Sequence, residues 1–312
     1  MSKTLVVFGA TGQQGGSIIK TVLASPSLSK TYKIRAVTRD ITKPAAQALS
    51  SLGIEIVQGD AGDVSSLGPV LEGAHTVFAL TTTTYDSQCY TREFTQGKAI
   101  ADAAVAASVQ YLIFSSLPHC SSISGGKYKG VQSFDAKADV ETYIRSLPIK
   151  SAFFMPGSFL QNFHNQTMQP NPIGDGTYAI FNIVSPSTRL PLIDTASDTG
   201  KHISAILSDP EKFEGKSLCA STEVPTMEEI CATMTKMSGK TVVYKQLPES
   251  VFRGFMKNEV QAENIVQMMF FIQDFGYYGE GSVEKVEETG RLVGWGLTTL
   301  GEYLRKHPLV LQ

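Results

Sequence analysis

The chain opens on a short apolar run of β-formers, Thr4-Leu5-Val6-Val7-Phe8, that breaks at Gly9. Similar runs recur at Tyr32-Lys33-Ile34-Arg35-Ala36-Val37, Ile54-Glu55-Ile56-Val57, His75 to Leu80, Tyr111 to Phe114 and Ser151 to Met155. Helix-compatible segments lie between them. These are Ser17 to Leu23, Lys43 to Leu49 with Pro44 where a first turn tolerates it, Asp63 to Leu71, the alanine-rich Arg92 to Ala107, and Asp135 to Arg145. Strands separated by helices of about 10–20 residues predict βαβ units. Right-handed crossovers then give a doubly wound parallel sheet, with ligand at the carboxyl ends of its strands.

Beyond Pro156 the rhythm changes. Prolines and short segments dominate from Gln169 to Leu192, and strands such as Lys216 to Ala220 and Thr241 to Gln246 alternate with helices. The fold class is α/β: a Rossmann domain over residues 1–156 and a smaller α/β lobe over 157–312. No Gly/Ser linker separates them, so some C-terminal strands could extend the first sheet. The aromatic run from Phe270 to Tyr278, with Trp295, is expected to pack the smaller lobe. No internal repeat or low-complexity tract interrupts the chain.

The first strand leads into Gly9-Ala10-Thr11-Gly12-Gln13-Gln14-Gly15-Gly16 and then a helix. In that setting Gly9 permits the turn, Gly12 lets backbone approach a pyrophosphate, and Gly15 lets the helix pack close to the strand. Glycine-rich turns are common, and the position between strand and helix is what points to a dinucleotide. The loops after the other strands are then the remaining candidates: Thr38 to Lys43, Asp60-Ala61, Thr81 to Thr83, Ser115 to Leu117, and Pro156 to Gln161.

Arg39 follows the second strand, where a carboxylate would take the adenosine ribose of NAD and an arginine takes the 2′-phosphate of NADP. With Lys43 nearby, the charges favour NADP(H), although an arginine leading into a helix also suits plain exposure. Lys137 fits the lysine that grips the nicotinamide ribose in short-chain dehydrogenases, or else a solvated helix lysine. One turn earlier such enzymes place a proton-donating tyrosine, and this chain has Ser133, whose hydroxyl is too weak an acid without an activating base. Tyr128, Tyr143, His119 and His164 are left as candidate relay residues, each also an ordinary loop or surface residue. Tyr128 sits in a glycine-flanked stretch that could fold over a ligand, and His119 follows the fifth strand.

Charge and composition narrow the classes. A formal net charge of -2 with scattered lysines and arginines gives no footprint for direct nucleic-acid binding. No stretch reaches the roughly 18 apolar residues of a membrane helix, and the first apolar run is too short for a signal peptide. An intracellular, cytoplasmic protein is expected. Cys89, Cys120, Cys219 and Cys231 lack C-x-x-C spacing, so free thiols and no metal site are expected.

Several segments together resemble the NmrA-like family of atypical short-chain dehydrogenases. They are Gly9 to Gly16, Val37-Thr38-Arg39, Gln58-Gly59-Asp60, Ser133-Phe134-Asp135-Ala136-Lys137 and Met155 to Asn162. The likeness runs from residue 3 to about 305, and the fungal members look most similar. It implies a Rossmann domain, a small C-terminal lobe and NADP(H), with NAD(H) held more weakly. It implies cofactor contacts at Gly9, Ala10, Thr11, Gly12, Gln13, Gln14, Arg39, Lys43, Asp60, Ala61, Thr81, Thr82, Thr83 and Lys137. Pro156, Gly157, Ser158, Phe159, Leu160 and Gln161 complete that set. Relatives include nitrogen-metabolite regulators that bind a GATA-type transcription factor, which brings in a protein partner and the nucleus, and redox-responsive NADPH sensors. Related isoflavone-reductase-like enzymes keep a catalytic lysine at the place of Lys137. Two departures stand out: many relatives carry histidine at Ser133, and some carry a cofactor-touching lysine at Thr95.

The residues give NADP(H) binding with the proton donor missing at Ser133, and with the resemblance they favour a sensor or transcription co-regulator with little dehydrogenase activity. The competing reading is an NADPH-dependent reductase of a small carbonyl, quinone or imine that recruits Tyr128, His119 or a water.

Overall fold

The strand β1 (Lys3–Val7) turns Leu5, Val6 and Val7 completely away from solvent, as a central strand covered on both faces must. It pairs in parallel with β2 (Tyr32–Thr38) on one side and β4 (Thr76–Ala79) on the other. β3 (Glu55–Gln58) extends beyond β2, while β5 (Tyr111–Ser115) and β6 (Lys150–Pro156) extend beyond β4. The computed structural model describes residues 2–165, 168–294 and 296–311. Trp295, expected in the core of the smaller lobe, lies outside the described residues.

Six further strands come from the C-terminal half: β7 (Ser158–Phe159), β8 (Asn171–Gly174), β9 (Thr177–Asn182), β10 (Leu192–Ile193), β11 (Ser217–Ala220) and β12 (Val242–Gln246). β11 pairs in parallel with β6 and closes a seven-stranded sheet of order β11-β6-β5-β4-β1-β2-β3. The remaining strands form a β10-β7 pair and a separate β12-β9-β8 sheet. All pairings in the large sheet are parallel, so the α/β doubly wound expectation is met. The β8-β9 hairpin, inside the proline-rich stretch, carried no alternating signal because its first strand is exposed throughout.

Two helices begin earlier than their formers suggest. The Cys89–Ala106 helix gains a turn because the Asp86 carboxylate accepts the Gln88 N–H at 2.9 Å and holds Arg92 at 2.8 Å. The Gln132–Arg145 helix starts before Asp135, so Ser133 and Lys137 share its face. One apolar cluster fills each face of the large sheet, and a third, rich in methionine and aromatic side chains, fills the C-terminal half.

The Thr195–Ser208 helix packs against the Gln13–Ala24 helix and buries His202 completely. The His202 Nδ1 lies 2.9 Å from the Asp198 carbonyl, its ring meets Phe154 edge-on, and Nε2 has no hydrogen-bond partner among the described residues. Burial lowers its pKa below the ordinary histidine value. The folded chain therefore resists a proton that the unfolded chain takes up near pH 6.5, and stability falls as pH drops through that value. Between pH 7.5 and 5.5 the wild type is expected to lose up to about 1.4 kcal/mol more than His202→Gln. Urea unfolding midpoints measure this, and equal losses in both proteins contradict it. Only the difference isolates His202, since burial lowers His75 and His164 as well.

Candidate functional site

The glycine turn takes its shape from two positions. Gly9 has φ +65°, a conformation that L side chains rarely adopt. A Cβ on Gly15 would stand 2.4 Å from the Gly9 carbonyl oxygen, so only glycine lets the helix seat there. Gly12 donates to the Gly9 carbonyl at 2.9 Å and begins the Gln13–Ala24 helix with no side-chain cap and no acidic residue in the first turn. That helix end keeps its N–H groups and its positive dipole for an anion.

At the end of β2, Asp40 is already engaged. Its carboxylate accepts the Thr42 N–H at 2.9 Å and the Thr42 hydroxyl at 2.6 Å, and these bonds lower its pKa. Arg39 and Lys43 are exposed, and among the described residues neither side chain enters a hydrogen bond or ion pair. Two uncommitted cations thus stand beside a carboxylate that is turned back on its own loop. Asp60, after β3, likewise accepts the Gly62 N–H at 2.8 Å.

The loop after β4 meets the Cys89–Ala106 helix at a carboxylate, Glu93, that is 1% exposed. It accepts from the hydroxyls of Thr81 at 2.6 Å and Thr83 at 2.7 Å, and it pairs with the Lys137 ammonium. Lys137 also donates to the Thr83 hydroxyl at 3.0 Å. This network holds Lys137 at the carboxyl ends of β4 and β5 with its charge compensated.

The helix Glu259–Phe275 lays one face over the far end of the same space, carrying Gln261, Ile265, Met268, Met269 and Ile272. Asn264 on that helix accepts the Ser133 hydroxyl at 3.1 Å. Tyr85, in the loop after β4, reaches the Ser133 side chain, and burial pushes its phenol up to about 12. The half-open cavity measures about 850 Å³ and runs from Arg39 and Lys43, past the glycine turn and Lys137, to Met268 and Ile272. That is a ligand-sized volume.

Most expected cofactor positions lie on this wall: Gly9, Thr11, Gly12, Gln13, Gln14, Arg39, Lys43, Asp60, Ala61, Thr81, Thr82, Thr83, Lys137, Pro156, Gly157, Ser158 and Phe159. Ala10, Gly15 and Leu160 are buried behind it, and Gln161 turns to the Asp194 carboxylate at 2.8 Å. The relay candidates lie elsewhere. Tyr128 donates to Asp274 at 2.6 Å and packs edge-on against Phe271 and Phe275, so it pins the end of the Glu259–Phe275 helix. His119 accepts the Ser122 N–H at 3.2 Å at the start of the Cys120–Ile123 helix, between Asp135 and Asp139. Tyr143 bonds Asp102 and His164 meets the Tyr303 ring, both outside the cavity wall.

Glu93 and Tyr85 went unread in the sequence. For Glu93 a signal exists: it falls on the helix face shared by Cys89, Gly97, Ile100 and Ala104, where a carboxylate demands a partner. Tyr85 sits in an aperiodic loop and has none. All four cysteines are free and buried. Among the described residues no His, Cys, Asp and Glu cluster could hold a metal ion, and no helix is long and apolar enough to cross a membrane.

The architecture has counterparts among known proteins. The model of the NmrA-like family matches residues 1–304. An NmrA-like family domain-containing oxidoreductase, lnaB of Aspergillus flavus, is 27% identical over 300 residues, covering 90% of this chain and 87% of its own. The structure of NmrA, a negative transcriptional regulator, in complex with NADP superposes with a TM-score of 0.79 at 27% identity, covering 99% of this chain and 95% of that one. Its complex with NAD gives a TM-score of 0.80 at 26% identity with the same coverage. With the family model spanning nearly all of its length, the chain belongs to the NmrA-like family.

Proposed function

We propose that the protein is an NADP(H)-dependent reductase that prefers NADP(H) to NAD(H). The observation that carries this reading is the continuity of the cavity, from the glycine turn with Arg39 and Lys43 into an apolar compartment lined by Ile265, Met268, Met269 and Ile272. The residues suit the nucleotide. Uncapped helix amides at Gly12 to Gln14 would take the pyrophosphate, and Arg39 and Lys43 the 2′-phosphate. Gln14 Oε1 is buried at the wall with no hydrogen-bond partner among the described residues and would accept from a bound nucleotide. Lys137, steadied by Glu93 and Thr83, would hold the nicotinamide ribose.

The bound nucleotide supplies a hydride. This chain has then to orient the acceptor, exclude water and provide a proton. Ser133 cannot supply that proton; Tyr85, beside it on the cavity wall, is the phenol placed to do so, and with its pKa raised by burial it would donate only as charge develops on the acceptor oxygen. The spacing rule of short-chain dehydrogenases looks one helical turn before Lys137, whereas this donor would arrive from another loop. Ser133 itself favours a second reading, a nucleotide-responsive regulator that passes its state to a transcription factor.

Two measurements test the proposal. Arg39→Ala is expected to lose about 1.5–3 kcal/mol of NADP⁺ affinity, a charged hydrogen-bonded contact, with NAD⁺ affinity barely moved. Equal losses for both nucleotides refute the 2′-phosphate assignment. NADPH oxidation with uncharged aryl ketones and aldehydes is expected to fall at least about 100-fold in Tyr85→Phe. Absence of turnover in a wild type that binds NADP⁺ normally decides for the regulator.

A further inference from the structure

We infer that the cavity beyond Lys137 is a binding compartment for an uncharged, largely apolar ligand carrying one hydrogen-bonding group, and that it rejects carboxylates, phosphates and ammonium groups. The inference names the substrate class of the reductase proposed above. It rests on that reading only for which end of the cavity holds the nucleotide.

The wall supplies the argument. From the Glu259–Phe275 helix come Ile265, Met268, Met269 and Ile272, and Phe134 and Met168 line the same compartment. Methionine side chains are flexible and polarizable, so such a wall moulds to a flat ring better than to one fixed shape. Gln261 and Asn162 also reach the wall, and one polar corner is built where Tyr85 stands beside the Ser133–Asn264 hydrogen bond. That corner can position a single carbonyl or hydroxyl.

A census of charge is more restrictive. The carboxylates and cations on the cavity wall are Arg39, Asp40, Lys43, Asp60 and Lys137. The first four sit at the ends of β2 and β3, on the opposite side of the glycine turn from the methionines. Lys137 is neutralised by the buried Glu93. Tyr277 and Tyr85 complete the ionisable groups, and burial keeps both phenols protonated at neutral pH. A charged substituent entering this compartment would lose its hydration and meet no counter-charge, a cost that methionine and isoleucine contacts do not repay. Hydroxy acids, amino acids and phosphorylated sugars are excluded on this ground.

Three isosteric probes test it by calorimetry on full-length protein saturated with NADP⁺, where no turnover intervenes: 2-acetylnaphthalene, 2-naphthoate and 2-naphthylmethylammonium. The ketone is expected to bind at least about ten-fold more tightly than either ion. Met268→Lys, at a partly buried position on the compartment wall, is expected to weaken the ketone about ten-fold and strengthen the naphthoate. Comparable binding of all three probes, no binding of the ketone, or preference for an ion in the wild type overturns the inference. So does a folded Met268→Lys protein with unchanged probe affinities. The wild-type comparison stands without any variant. The NADP⁺-induced rise in melting temperature reports the nucleotide half separately: its absence overturns the reductase reading, and its presence without ketone binding overturns only this compartment.

Discussion

Replacing Glu93 by alanine is expected to cost about 3–5 kcal/mol of stability, the loss that follows when one member of a buried ion pair is removed. Glu93 is 1% exposed, and it is the shared acceptor of Thr81, Thr83 and Lys137. Its removal strands an ammonium whose side chain is only 10% exposed, and leaves the Thr81 and Thr83 hydroxyls without their acceptor. A native protein has only about 5–15 kcal/mol in total, so the variant should unfold at much lower urea. Glu93→Gln keeps one acceptor oxygen and should fall between. Combining Glu93→Gln with Lys137→Met removes both charges and should recover part of the loss. A Glu93→Ala protein within about 1 kcal/mol of wild type would show that the pair contributes no more than a surface contact.

Gly12→Val is expected to abolish nucleotide binding while leaving the fold in place. A Cβ at Gly12 meets only the Gly9 carbonyl oxygen, at 3.3 Å, so the turn can accept it with a small shift. The valine methyls would occupy the space over the helix amides that a pyrophosphate needs. NADP⁺ at 100 times its dissociation constant stabilises a binding protein by about 2.7 kcal/mol, so a melting scan separates the two proteins clearly. The wild type should shift upward and Gly12→Val should not move. Gly15→Ala makes the contrasting control, because its Cβ would collide with backbone at 2.4 Å and the unliganded protein itself should melt lower. Equal NADP⁺ shifts in wild type and Gly12→Val would place the anion somewhere else.

The parallel sheet and the glycine turn were legible because both are local. Five largely buried strands and the more exposed edge strand β3 read as apolar runs, and Gly9, Gly12 and Gly15 declare a turn whose geometry depends on residues within a few positions of one another. The engagement of Asp40 by Thr42 is equally local, a side chain bonding backbone two residues on. Arg39 beside it could therefore be read as a phosphate ligand from neighbours alone.

Tertiary structure decided the rest, because the deciding contacts join residues far apart in the chain. β11 reaches the main sheet by pairing with β6 across more than sixty positions, and nothing in Ser217-Leu218-Cys219-Ala220 says which edge it will meet. Tyr128 and His119 looked like relay residues by sequence position, but Tyr128 is bonded to Asp274, 146 positions away, and His119 is held by Ser122 and two carboxylates. The stripe Ile265, Met268, Met269 and Ile272 has helical spacing that periodicity assigns to a core. Whether such a stripe meets protein or an open cavity depends on what is packed opposite, and helical spacing carries no information about that. By itself the sequence determined that this protein folds around a nucleotide-shaped turn. Only the assembled fold decided which phenol stands beside Ser133 and which carboxylate beside Lys137, because side chains become neighbours through packing between elements.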